Sequence, residues 1–335
     1  MLYSLLAGFS PSAIFLFARV FAILITIIGL NPTQKLLLSL KVGQPLRYID
    51  TPTLEKLHEN KKNTPTMGGG LLIAVFFILG ALFLDFSQPS AYLILVGYGL
   101  TGLLGAWDDF KKLTGKSAFG LSSKQKFLLQ ISIGLIICLL AYSIDRQAFF
   151  SFFDRKTLPI ALSISFFVFI FVGSSNAVNL TDGLDGLASG VVAIVSFGLL
   201  ASCWSSSYFE HSYNELLSLS MIMGTAIGFL WMNQFPAKIF MGDTGSLSYG
   251  AILALISYLL KREWLYAFMG IIFVAEALSV ILQVASYRLR NKKRIFLCTP
   301  IHHHFQYLGM NEVKIVTRFW IVSIIFVIFG LIGIL

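Results

Sequence analysis

Asn176-Ala-Val-Asn179-Leu-Thr-Asp182-Gly183-Leu-Asp185-Gly186 is a polar stretch set between two apolar runs. Wound into a helix start, it would place the carboxylates of Asp182 and Asp185, three apart, on one face. Gly183 and Gly186 would let backbone approach a ligand closely. Such a set suits a metal-bound phosphate compound. It also suits a solvated turn whose Asn and Asp residues cap the next helix. Other polar groups recur at the same kind of boundary. Asp108 and Asp109 are adjacent at the C-terminal end of an apolar run, where a helix dipole disfavours them. A divalent cation, or a role in proton transfer, accounts for that pair better than solvation does. Asp243, followed by Thr244 and Ser246, is either an N-cap or a single-carboxylate magnesium ligand whose shell water and substrate complete.

Basic, aromatic and imidazole groups accompany these acids. Lys61 precedes Thr64-Pro65-Thr66-Met67 and three glycines, which reads as a helix start or as a phosphate or uracil contact. Asn233 closes an apolar run, and Phe240 in the following loop is placed either to stack on a base or simply to pack. His302, His303 and His304 are consecutive, and neighbours in sequence rarely aim at one ion. Hydrogen bonds to phosphate or sugar suit them better. Glu276 and Arg19 lie inside apolar runs, where ionisable groups are functional suspects.

The elements that must carry these residues follow from composition. The chain has 335 residues, 56% hydrophobic and 12% charged, with mean hydropathy +0.80. A soluble chain would be about 25% charged, so the fold class is all-α and polytopic in a membrane. Ten apolar segments are expected at 12–30, 68–86, 91–107, 127–144, 158–175, 187–204, 215–233, 247–260, 264–286 and 319–335. The eighth is short, and the ninth is bent or broken. Alternate loops then hold nineteen Lys and Arg on one side against five on the other. The richer side is cytoplasmic, which sends both termini outward, to the periplasm, and gathers the polar motifs at the cytoplasmic face. The net charge of +9 is therefore a layer that orients the chain and attracts anionic lipid and phosphate; with no separate basic domain, nucleic acid is excluded as a partner. Cys138, Cys203 and Cys298 are scattered, with neither disulfide nor zinc spacing. The N-terminus shows no cleavable signal. No soluble domain or repeat interrupts residues 1–335, which read as one integral-membrane domain.

Thr-Pro-Thr-Met-Gly-Gly, Asp-Asp-Phe, Asn-Ala-Val-Asn-Leu-Thr-Asp-Gly-Leu-Asp-Gly, Met-Gly-Asp-Thr-Gly-Ser and Pro-Ile-His-His-His-Phe occur in that order on one membrane face. Together they closely resemble the phospho-N-acetylmuramoyl-pentapeptide-transferase family, within the polyprenyl-phosphate N-acetylhexosamine-1-phosphate transferases. The match runs over essentially the whole chain. The resemblance implies a magnesium-dependent enzyme of the bacterial plasma (inner) membrane. Its substrates would be UDP-N-acetylmuramoyl-pentapeptide and undecaprenyl phosphate, its products lipid I and UMP. It implies that Asp243 binds Mg2+, and that Asp108 and Asp109 serve metal binding or deprotonation of the lipid phosphate. Asp182, Asp185, Asn176 and Asn179 would form the catalytic and nucleotide loop, with Gly183. Lys61, Thr66, Asn233 and Phe240 would line the uridine pocket, Phe240 stacking on uracil. His302, His303 and His304 would bind the donor's phosphate or sugar, and Gln283 would help form the lipid opening. Lys112 or Lys124 would neutralise further phosphate oxygens. A homodimer is what the family suggests. Gln306 departs from the acidic residue expected after His-His-His-Phe. A direct attack by the lipid phosphate and a two-step route through an aspartate such as Asp185 both remain open. A donor carrying only N-acetylglucosamine is the nearest alternative, and a transporter is the alternative of another class.

Overall fold

The structure is a computed structural model that describes residues 9–40, 61, 64–114, 120–154, 159–204 and 211–333. Lys41, Arg47, Lys56, Lys62, Lys116, Arg155 and Lys156, which enter the charge count above, lie outside the described residues. Those described are helical, in chain order α1 Pro11–Ser39, α2 Gly69–Phe83, α3 Pro89–Thr114, α4 Ser123–Ile144, α5 Arg146–Phe153, α6 Ile160–Thr181 and α7 Leu187–Ser202. They continue with α8 Tyr213–Asn233, α9 Gly242–Leu259, α10 Glu263–Met269, α11 Ile271–Leu289, α12 Ile301–Tyr307 and α13 Glu312–Ile332.

Each of the ten apolar segments has a helix. Seven helices, α1, α3, α4, α6, α8, α11 and α13, are long and apolar enough to cross a membrane, while α2 and α7 are apolar but shorter. The ninth segment is broken at Gly270, between α10 and α11. Periodicity did not reveal α5 or α12, both of eight residues or fewer. Helix α3 also runs past its apolar stretch to Thr114. Asp108 and Asp109 therefore sit inside its last two turns, a correction to their expected place at its end.

The centre of the bundle is α9. Every residue from Asp243 to Leu259 is buried, and its most extensive packing is against α3 and α6. A helix surrounded by protein can carry hydroxyls that lipid would penalise, provided each finds a partner. Those of α9 do. Ser248 and Ser257 donate back to their own helix, Tyr249 donates to Thr225 and Tyr258 to the Ser163 carbonyl. Close approach is possible because α3 presents Gly105, where a Cβ would strike the backbone of Asp243 and Thr244. That contact brings the acidic end of α3 onto the N-terminus of α9. Elsewhere, Arg19 of α1 reaches Ser220 of α8 at 3.4 Å.

Candidate active site

The N-terminus of α9 exposes backbone N–H groups that have no partner within the helix, and Asp109 of α3 supplies one. Its carboxylate accepts from the N–H of Asp243 (3.2 Å), the N–H of Thr244 (2.9 Å) and the Thr244 hydroxyl (2.7 Å). Its charge, unfavourable on its own helix, is favoured at the start of another. Asp109 thereby sets the direction of the next carboxylate, Asp243.

Asp108 and Asp243 share two ammonium groups. Lys112 Nζ lies 2.6 Å from Asp108 Oδ2 and 2.9 Å from Asp243 Oδ2. Lys126 Nζ lies 3.1 Å and 2.5 Å from the same two atoms. The other Asp108 oxygen accepts from the Leu121 N–H at 2.7 Å. Lys126 is the residue the sequence reading missed. The sequence points instead to Lys124, which is exposed. Ser122 and Gln125 form a capping box that starts α4 at Ser123. Two residues on a helix are about 200° apart, so Lys126 faces the cluster and Lys124 faces away.

Asp108, Asp109 and Asp243 bring carboxylate oxygens within 4.8 Å of one another. Hard oxygen donors at that spacing fit Mg2+. The two lysines already neutralise this spot, and they mark where added positive charge would be held.

The Asn176–Gly186 stretch joins the same cluster differently from the expected helix face. Asp182 is the C-cap of α6, and α7 begins only at Leu187 after Gly186 takes φ 77°. Asp182 and Asp185 therefore do not share a face. Asp182 turns toward the cluster, where burial first, and then the charges of Asp243, Asp109 and Asp185, raise its pKa well above the usual carboxylate range. Asp185 points away to Lys61, with Oδ1 2.6 Å from Nζ, while Oδ2 accepts from the Ala237 N–H at 2.9 Å. Glu312, at the start of α13, completes this second group. Its Oε1 lies 2.6 Å from Lys61 Nζ and accepts from the Asp185 N–H at 2.8 Å. No local pattern in the sequence ties Glu312 to a loop more than a hundred residues away.

The amides organise rather than stand free. Asn179 donates to Asp243 Oδ1 (3.0 Å) and to Ser246 (2.8 Å). Asn176 donates to Gln130 and to the Val172 carbonyl. Asn233 donates to the Ile239 carbonyl and accepts from Ser189, which folds the loop that presents half-buried Phe240. That loop pairs with the Thr66 segment, since the Phe240 N–H donates to the Pro65 carbonyl and the Gly68 N–H to the Phe240 carbonyl. Thr66 is buried beside Gly242 and Asp109.

The three histidines diverge. His302 Nδ1 meets Glu276 Oε1 at 3.0 Å. His303 Nδ1 meets Gln306 Oε1 at 2.7 Å. His304 Nδ1 accepts from the Leu297 N–H at 3.2 Å. Gly183 gives clearance to His302, because a Cβ there would run into its imidazole. Gln283 binds the backbone of Ile295 and Phe296. It lines a cavity of ≈ 260 Å³ with Tyr287, Arg288, Arg294, Cys298 and Thr299.

The arrangement holds several anionic oxygens and matched cations at the ends of helices, which is the equipment of phosphate chemistry. Comparison with known proteins agrees. The glycosyl transferase family 4 model matches residues 91–261. A phospho-N-acetylmuramoyl-pentapeptide-transferase of Protochlamydia amoebophila (strain UWE25) is 38% identical over 355 residues, covering 88% of this chain and 87% of its own. That of Rickettsia bellii (strain RML369-C) is 42% identical over 308 residues, covering 87% and 84%. That of Francisella philomiragia subsp. philomiragia is 40% identical over 333 residues, covering 93% and 90%. With relatives so similar over nearly their whole length, this chain belongs to the phospho-N-acetylmuramoyl-pentapeptide-transferases of glycosyl transferase family 4.

Proposed function

We propose that this chain transfers phospho-N-acetylmuramoyl-pentapeptide from its UDP-linked donor to undecaprenyl phosphate, giving lipid I and UMP for peptidoglycan synthesis. The observation that carries the reading is the cluster of Asp108, Asp109 and Asp243 interlaced with Lys112 and Lys126. In phosphoryl transfer the protein contributes mainly position and charge neutralisation. The bond between the donor's two phosphates breaks, UMP leaves, and the lipid phosphate oxygen takes its place on the phosphorus that carries the sugar.

Asp243 would hold Mg2+, its backbone N–H fixed by Asp109. The ion would supply charge neutralisation at the pyrophosphate. Lys112 and Lys126, released from the carboxylates, would turn to phosphate oxygens. Asp108 would accept the acceptor's remaining proton once its lysines have moved. Phe240 would stack on uracil beside Thr66, Lys61 and Asn233, and His302 to His304 would face the donor's phosphate and sugar. Direct attack is favoured over a covalent aspartyl step, because both oxygens of Asp185 are already engaged. With ten spans in the inner membrane, the nineteen-to-five charge count supports both termini periplasmic and a cytoplasmic active site. One integral domain, assembled as a homodimer, completes the reading.

The test is UMP release by detergent-purified protein with undecaprenyl phosphate, magnesium and either UDP-N-acetylmuramoyl-pentapeptide or UDP-N-acetylglucosamine. The proposal expects release with the muramoyl donor alone. Release with the N-acetylglucosamine donor alone would overturn the substrate assignment, and release with neither would overturn the reaction.

A further inference from the structure

A carboxylate inside a membrane helix is retained only where something requires it. Glu276 of α11 is fully buried, and so is His302 of α12, whose Nδ1 stands 3.0 Å from it. Among the described residues neither Glu276 Oε2 nor His302 Nε2 has a hydrogen-bond partner. A buried polar atom left unpaired is costly, so two in one pair call for an explanation. The Nε2 edge lies against Gly183, next to Asp182, at a spot that any side chain at position 183 would fill.

We infer that Glu276 is a positioning residue, accepting the Nδ1 proton of His302 and so presenting Nε2 beside the Asp182–Gly183 turn as an acceptor for a hydroxyl of the donor's sugar. The inference rests on the transfer reaction proposed above and adds a residue to it. With Glu276 as the acceptor, the Nδ1 proton is committed and the ring's rotation is fixed from one side. The neighbouring imidazoles lack this arrangement, since His303 rests on an amide and His304 accepts a backbone N–H at Nδ1. A carboxylate behind an imidazole sets its tautomer and orientation, and loss of such an outer partner costs on the order of 10- to 100-fold.

The experiment has two arms on the full chain. In the first, Glu276→Gln should lower kcat on the order of 10- to 100-fold with the donor KM little changed. The same substitution in a His302→Asn background should add nothing, because Glu276 acts through that ring. Undiminished kcat in Glu276→Gln, or an equal further loss in the His302→Asn background, would overturn the inference. In the second arm, 15N NMR of histidine-labelled protein identifies the His302 signal by its loss in His302→Asn. The inference expects a proton on Nδ1, and a bare Nδ1 would overturn it even in a preparation that does not turn over. An inactive wild type with a protonated Nδ1 would overturn the transfer reaction and leave the pair standing.

Discussion

Asp109, Asp185, Asp108 and Asp182 are chemically alike, and their neighbours give each a different task. Asp109 and Asp185 are used up by backbone and hydroxyl donors or by a lysine, which makes them builders of the site. Asp108 and Asp243 share the ammonium groups of Lys112 and Lys126, at the spot where the proposed metal ion would be held. Lys126→Ala should therefore reduce kcat on the order of 100-fold, whereas Lys124→Ala should stay within about twofold, as expected of an exposed side chain away from the site; steady-state UMP release distinguishes them. Asp182 is the costly member. Its folded-state pKa is raised by burial and by the surrounding carboxylates, so above its unfolded value of about 3.9 the charge opposes folding increasingly as pH rises. In chelator-treated protein, Asp182→Asn should match wild type in melting temperature near pH 4 and exceed it progressively toward pH 7.5. Added magnesium should narrow the gap. Equal melting curves at both pH values would show that the crowding of Asp182 has no energetic weight.

At the scale of elements, the site depends on where helices start and stop. Helix α9 is placed by glycine contacts, α4 is started by its capping box, and α6 ends at Asp182 so that the loop can turn back. Helix α13 is tied to that loop by Glu312. Removing Glu312 leaves the Lys61–Asp185 pair in place but takes away the acceptor of the Asp185 N–H, and is expected to cost about 1–3 kcal/mol. Glu312→Ala should accordingly lower stability by that order in denaturant titrations and weaken donor binding through Lys61, and Glu312→Asp should fall between. Much of this was legible in the sequence. Acids, amides and glycines at the ends of apolar runs stood out because membrane helices have so few polar residues. What stayed hidden depended on rotation or on distance. Lys124 and Lys126 differ only in the phase of α4, and Glu312 meets Lys61 only after the whole chain has folded. The expected shared face of Asp182 and Asp185 failed because both lie between helices, Asp182 capping the end of α6 and Asp185 preceding the start of α7 at Leu187.

For the whole molecule, hydropathy located every long helix but could not rank them. Helix α9 is wholly enclosed by protein and carries hydroxyls, so its composition says little about lipid. The proposed orientation predicts that a cysteine introduced at Ser123, beside the cluster, reacts with an impermeant maleimide only after cells are opened. One at Asp145, at the other end of α4, should react from outside in cells whose outer membrane has been permeabilised; the reverse pattern would invert the topology. The central claim is that the carboxylate–lysine cluster carries out the transfer. Mass spectrometry of the lipid product formed by purified wild type and Asp243→Asn, each with and without magnesium, tests it most directly. The account predicts lipid I from wild type with magnesium only, and none from the variant despite a folded protein that melts cooperatively. Lipid I from Asp243→Asn at the wild-type rate would contradict it.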